Sequence, residues 1–348
     1  MSEEQFKVKA AGETNSNWRR WLNTLGPLLA LLLVYMIFAA IAPASFRTTR
    51  NLEMIGRQTT IVAIAALGMT LVIIAGGIDL SVGSVVALST VVIAWLLQKS
   101  GMSGVLANMG CGGLSPWIAA MMGVGAGAFC GFVSGALITR LKVLPFIVTL
   151  GMMLVVRGAA KGIGREQKID IEPGLLKWLD ELLASVPKEH SWMLVPVGVW
   201  ILIILAVVTA GLLRYTRLGR HIFAIGSNEQ TARLCGVAVE RVKLSVYTLG
   251  GLFAGLAGLM QFSRLTVGDP TVAVGLELDV IAAVVIGGGS LSGGEGSVLG
   301  TMVGALIMTV IASGCTQMGM PNWVQEIITG AIIVVAVALD RLRHRRSV

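Results

Sequence analysis

Charge, histidine and cysteine are scarce in this chain. Of 348 residues only 13% are charged and 6% aromatic, while 55% are hydrophobic. An ordinary soluble domain carries about 25% charged residues, so a mean hydropathy of +0.81 places this chain among integral membrane proteins. Three histidines (His190, His221, His344) form no His-Glu-x-x-His, and four cysteines (Cys111, Cys130, Cys235, Cys315) form no Cys-x-x-Cys. That excludes the common zinc and redox patterns, and no cofactor or metal is expected on this chain. No disulfide is expected between Cys111 and Cys315. A membrane enzyme would need a cluster of nucleophile, base or metal ligands, for which the chain has little material. No Gly-Lys dipeptide occurs anywhere, so there is no P-loop to hold nucleotide phosphates. The net charge of +8 is not a nucleic-acid signal, because the basic residues mark loops between apolar runs instead of forming one stripe.

What the chain has is long apolar segments. Those near the ~20 residues needed to cross a bilayer number about ten. They lie near 26–42, 59–76, 80–97, 116–138, 143–160, 192–213, 244–262, 271–287, 297–313 and 323–339. The fold class is therefore all-α: a polytopic transmembrane bundle of about ten spans, with glycine-interrupted helices, over residues 25–340. Residues 1–24 form a tail whose Arg19 and Arg20 precede the first span, which is too long for a signal-peptide core and reads as a retained anchor. Alternation then puts Arg140, Lys142, the loop at 214–243 and the basic tail 341–348 with Arg19 and Arg20, on the cytosolic side by the positive-inside bias. Arg47, Arg50 and Arg57 oppose this and are outvoted. The outer loop, 163–191, contains an amphipathic segment from Leu175 to Leu183. It either receives a soluble protein or lies in the interface with Trp178 as anchor.

Glycine recurs every fourth residue at Gly123, Gly127, Gly131 and Gly135, at Gly251 and Gly255, and at Gly296, Gly300 and Gly304. Such stripes let helix backbones approach closely. Two apolar runs are broken by glycines and then resume, at Ala75 to Ser84 and at Ile286 to Ser297; paired breaks can mark a transport path. In the first, Asp79 is either a functional acid beside Ser81 or the cap of a helix starting at Leu80. Arg157 either snorkels to headgroups or touches a polar path. Glu277 and Asp279 precede an apolar run too short to cross alone, so they sit near the mouth of a path or simply start a helix. With Gly288 and Ser290 of the second break, these are the candidate path or gate residues.

The stretch from Leu218 to Gly236 is a polar island crowded by Arg214, Arg217, Arg220, Arg233, Arg241 and Lys243. Its middle is written as one short helix: Ser227 or Asn228 as cap, Glu229 in the first turn, Arg233 in the last, and Gly236 as a left-handed stop. So short a helix needs bracing by flanking spans or by a partner. Two readings stand, a docking element or an ordinary capped loop.

Three stretches taken together resemble the permease subunits of bacterial ATP-binding cassette importers for monosaccharides of the ribose, xylose, arabinose and galactoside type. They are Leu67 to Gly83, Leu218 through Asn228 to Val237, and Glu277 to Gly294. Leu291 to Glu295 also looks like the signature peptide of the ATPase itself, but without a P-loop this chain is not that enzyme. The resemblance implies a second copy of the permease, a cytosolic ATP-binding cassette ATPase carrying ATP and Mg on its own chain, and a periplasmic sugar-binding protein, in a bacterial inner membrane. It also implies that 219–236 is the ATPase-coupling region, with Gly219, Arg220, Ala224, Gly226, Asn228, Glu229, Arg233 and Gly236 in it. Function is then inward movement of a monosaccharide by alternating access. A permease for an amino acid or another small solute shares the architecture, and an ion-coupled secondary transporter would need more intramembrane charge than Asp79 and Arg157 supply.

Overall fold

The computed structural model describes residues 26–101, 116–171, 182–183 and 196–345. Arg19, Arg20, Cys111, Trp178 and most of the amphipathic segment at 175–183 lie outside the described residues. Helix α1 spans Gly26–Ile41. A 3-10 turn at Ala44–Arg47 leads into α2 (Thr49–Ile74), followed by α3 (Val82–Gly101), α4 (Pro116–Leu141) and α5 (Pro145–Ile163). After strand β1 (Ile169–Asp170) come α6 (Val197–Tyr215), α7 (Arg217–Ser227), α8 (Glu229–Leu234) and α9 (Val239–Leu265). Strand β2 (Val267–Gly268), α10 (Leu276–Ile286), α11 (Val298–Gln317) and α12 (Asn322–Arg345) complete the order.

Six helices among the described residues, α2, α4, α5, α6, α9 and α11, are long and apolar enough to cross a membrane. Parts of α1, α3 and α12 are apolar but shorter. Of the ten apolar segments in the sequence, the one at 271–287 behaves differently. Only its 11-residue second half is helical. At 1.5 Å per residue that is about half the thickness of a hydrocarbon core.

Helix α2 is the axis of the bundle, with its apolar stretch almost wholly buried against α9, α11, α10 and α6. A helix apolar on every side belongs in such a position. Two hydroxyl pairs tie it to α11: Thr59 Oγ1 with Thr309 Oγ1 at 2.6 Å, and Thr70 Oγ1 with Thr301 Oγ1 at 2.8 Å. The most extensive helix packing among the described residues is α4 on α9, and the glycine stripes are the reason. A methyl on Gly131 would sit 2.2 Å from the Tyr247 carbonyl oxygen, and one on Gly251 would sit 2.3 Å from that of Gly127. The third stripe packs α11 on α10, where a methyl on Gly304 would meet the Ala283 carbonyl at 1.9 Å.

At one end of the bundle β1 and β2 pair antiparallel, Ile169 opposite Gly268 and Asp170 opposite Val267. Lys168 Nζ lies 3.1 Å from Asp269 Oδ2, and Asp269 Oδ1 accepts from the Thr271 amide and hydroxyl. At the other end lie α7, α8 and both glycine breaks.

Candidate functional site

The polar island folds as two helices, not one. Thr216 is extended and caps α7, its Oγ1 accepting from the Gly219 amide at 3.1 Å. Gly219 sits in the elbow between α6 and α7, where a methyl would lie 2.3 Å from the Leu213 carbonyl oxygen. Ile222 and Ile225 turn into the bundle, and Ser227 closes α7 rather than capping the next helix. Asn228 caps α8, its Oδ1 accepting from the Thr231 amide at 2.9 Å, and Gly236 ends the turn with φ +83°.

The six residues of α8 cannot hold a helix by themselves. Two ion pairs brace it onto α9, Lys243 Nζ to Glu229 Oε2 at 2.7 Å and Arg233 to Glu240 at 2.5 Å, and Arg233 also lies 3.6 Å from Glu229 within α8 itself. The Arg233 pairs are exposed, so water screens them and each contributes little. Glu229 and Arg233 therefore hold the element's shape with their charges, whatever else they touch.

The two glycine breaks, more than two hundred residues apart in sequence, meet at Gly226. The Gly294 amide donates to the Ile74 carbonyl at 2.9 Å. A methyl on Gly226 would fall 1.7 Å from that same carbonyl oxygen and 2.5 Å from the Gly294 nitrogen. Gly76, Gly293 and Gly294 all have φ between +76° and +84°, so they need glycine for conformation as well as for space. A methyl on Gly293 would also sit 2.9 Å from the Gly76 Cα. An open cleft of about 580 Å³ lies here, lined among others by Gly76, Gly226, Asn228, Glu229, Arg233 and Ser292. Ala224 is exposed on α7, and Arg220 is exposed on the same helix, one turn from the α6 elbow.

The candidate path residues do not form one cluster. Gly288, with φ +90°, and Ser290, whose Oγ accepts from the Ser292 amide, belong to the break beside α7. Asp79 and Ser81 are almost fully buried, 2% and 3% exposed. Asp79 Oδ1 accepts from the Ser81 amide at 2.8 Å and its hydroxyl at 2.6 Å, which sets a tight turn; α3 starts at Val82, two residues later than expected. Glu277 faces the start of α3, where a methyl on Gly83 would meet its Oε2 at 2.3 Å. Asp279 lies in the first turn of α10, about 11 Å along the helical rise from the second break. Arg157 Nη1 donates to the Pro270 and Val272 carbonyls, at 3.1 and 2.6 Å, and so clamps the irregular segment before α10.

A family model described as "Branched-chain amino acid transport system / permease component" matches residues 51–337. "Ribose import permease protein RbsC" of Escherichia coli (strain K12) is 37% identical over 330 residues, 94% of this chain and 96% of that protein. The protein of the same description from Bacillus subtilis (strain 168) is 36% identical over 321 residues, 92% and 93% of the two chains. The chain belongs to this permease family. "Fructose import permease protein FrcC" of Rhizobium meliloti is 34% identical over 321 residues, 90% of this chain and 84% of that one. No solved structure matches the permease significantly.

The match begins in α2 and ends in α12, so it takes in both breaks and the whole island. The permease is thus a transport component, embedded in the membrane and crossing it several times. Sequence reasoning missed Tyr247 of α9. Its hydroxyl packs against Gly77, 2.3 Å from where a methyl would stand, and has no hydrogen-bond partner among the described residues. The available signal was a tyrosine, one of three in the chain, inside an otherwise apolar span. Among the described residues no three His, Cys, Asp or Glu side chains converge as a metal site would require.

Proposed function

We propose that the permease carries a monosaccharide inward by alternating access, driven by ATP hydrolysed with Mg on a separate cytosolic ATPase. Import permeases for ribose and fructose align with it over most of their length. The contact at Gly226 carries the mechanistic reading. It joins α7 by its backbone to both glycine breaks at once, so a push on α7–α8 from below moves the ends of α2 and α10 and the start of α11 together. Rigid-body transmission of that kind needs no flexible intermediary. Gly219, Arg220, Ala224, Gly226, Asn228, Glu229, Arg233 and Gly236 belong to this coupling element.

In this reading ten segments cross the bacterial inner membrane, with α10 and the irregular residues before it as the incomplete one, and both termini are cytosolic. Irregular backbone at that depth is tolerable because protein covers it. Two copies of the permease form the path, and a periplasmic sugar-binding protein delivers the substrate. Asp79, Ser81, Arg157, Glu277, Asp279, Gly288 and Ser290 line that path or its gate.

The family description names branched-chain amino acids, which keeps an amino-acid substrate as a second reading. The deciding experiment is purification of the permease with candidate ATPase chains, followed by ATPase assays in liposomes with binding proteins loaded with ribose, fructose or leucine. Sugar-loaded protein should stimulate hydrolysis. Stimulation only by the leucine-loaded protein would replace the sugar, and solute transport by the permease without any ATPase would overturn the class.

A further inference from the structure

The cations of the island are not equivalent. On the α8 side, Arg233 and Lys243 are neutralised by Glu229 and Glu240. On the α6–α7 side, Arg214, Arg217 and Arg220 are all exposed, and no ion pair among the described residues includes any of them. Three uncompensated guanidinium groups within seven residues make the densest unpaired positive patch in the island.

Their position is equally specific. Arg214 is in the last turn of α6, a span whose apolar stretch is only 22% buried. Above it Ile204, Val207 and Val208 are 61%, 66% and 58% exposed, a surface that only acyl chains or another apolar face can cover. Below it Tyr215 is 75% exposed, with the Arg214 guanidinium 5.6 Å from its ring centroid. An exposed tyrosine at the end of an apolar span marks the headgroup level. The chain then turns at Thr216 and presents Arg217 and Arg220 on the outward side of α7, opposite the buried Ile222 and Ile225.

We infer that Arg214, Tyr215, Arg217 and Arg220 form a binding site for the phosphate-bearing headgroup of an anionic phospholipid. The exposed face of α6 takes the acyl chains, the Tyr215 ring lies at the ester level, and the three guanidinium groups, each a fork of paired N–H donors, take the phosphate. A bound anionic lipid would thereby fix the elbow from which α7 hangs. The inference needs only that α6 spans the membrane, and it is independent of which ATPase or solute the permease uses.

The test uses the full-length permease in nanodiscs of phosphatidylcholine alone, or with one third phosphatidylglycerol. Thermal unfolding is followed by tryptophan fluorescence, and lipid preference by spin-labelled phosphatidylglycerol against spin-labelled phosphatidylcholine. The wild type should unfold at a higher temperature with phosphatidylglycerol and should select it at its surface. The variant Arg214→Gln/Arg217→Gln/Arg220→Gln should lose both effects, with preference falling by up to about fivefold per arginine. Arg140→Gln/Arg241→Gln, basic positions elsewhere, should keep them. Millimolar inorganic phosphate should not substitute for the lipid. If the triple glutamine variant does not fold, the triple lysine variant should retain the preference and single Arg217→Gln should weaken it. An unchanged preference in the glutamine variants refutes the site. So does unchanged lipid preference with loss of ATPase copurification, which would make the patch a protein-docking surface.

Discussion

Replacing Gly226 by alanine adds one methyl group at the point where α7 touches both glycine breaks. That methyl would stand 1.7 Å from the Ile74 carbonyl oxygen, whereas ordinary van der Waals contact begins at 3.4 Å, so α7 must retreat by about 1.7 Å. Overpacking of this kind costs about 1–3 kcal/mol. Retreat also strains the Gly294 to Ile74 hydrogen bond, worth about 1 kcal/mol net. The sum, about 2–4 kcal/mol, is enough to shift a docking equilibrium about 30- to 1000-fold. The expected phenotype is a permease that inserts and binds its ATPase, but whose transport in proteoliposomes falls at least tenfold, with ATP hydrolysis no longer raised by the loaded binding protein. Gly211→Ala and Gly330→Ala are the controls, because nothing lies within 4 Å of a methyl at either position. Both should transport normally and be slightly more stable, as helical glycine-to-alanine changes are. Normal transport by Gly226→Ala at unchanged stability would refute the claim that coupling passes through this backbone contact.

Asp79→Asn keeps an oxygen to accept the Ser81 amide and hydroxyl, while Asp79→Ala leaves both buried donors orphaned at about 1–3 kcal/mol. The alanine variant should therefore unfold at a clearly lower temperature than the asparagine variant, and equal melting would remove the turn-forming role. Cys235 is exposed beside α8, whereas Cys130 and Cys315 are buried. In cells carrying a Cys111→Ser permease, an impermeant maleimide should label Cys235 only after permeabilisation; labelling of intact cells would put α7–α8 outside and end the coupling proposal. Burial pushes the Asp269 carboxyl upward, but hydrogen bonds from Thr271 and the Lys168 ammonium outweigh it and hold it below the usual carboxylate range. Its stabilisation of the β1–β2 ribbon is therefore present above about pH 4 and lost as pH falls through the lower folded value. Exchange of the ribbon's cross-strand amides should stay slow down to that point in the wild type, and Asp269→Asn should show no such transition; loss of protection by pH 5 would contradict the assignment.

Much of this was legible in the residues. Glycines four apart predict helices that pack by their backbones, and α4 on α9 and α10 on α11 do so. Asn228, Glu229, Arg233 and Gly236 spell a capped short helix, because capping and left-handed stops are decided within one or two turns. The same locality explains the misses. Beside Arg217 only the cap residue Thr216 announces α7, since its apolar positions Ile222 and Ile225 acquire meaning only against the bundle. Asp79 is readable as a helix cap or as a functional acid, and only the folded chain shows its oxygen committed to a turn with Ser81.

Membrane residence, helical class and the kinship with permeases are determined by the sequence alone, because apolar length and motif order survive without any knowledge of contacts. Which motifs face each other is not. Ile74, Gly226 and Gly294 come together across 220 positions of chain, and Arg157 finds the carbonyls of Pro270 and Val272, through packing that no local pattern encodes. Tertiary structure also divided one basic island into a paired half and an unpaired half, since a charge is neutralised by its neighbours in space and not by its neighbours in sequence.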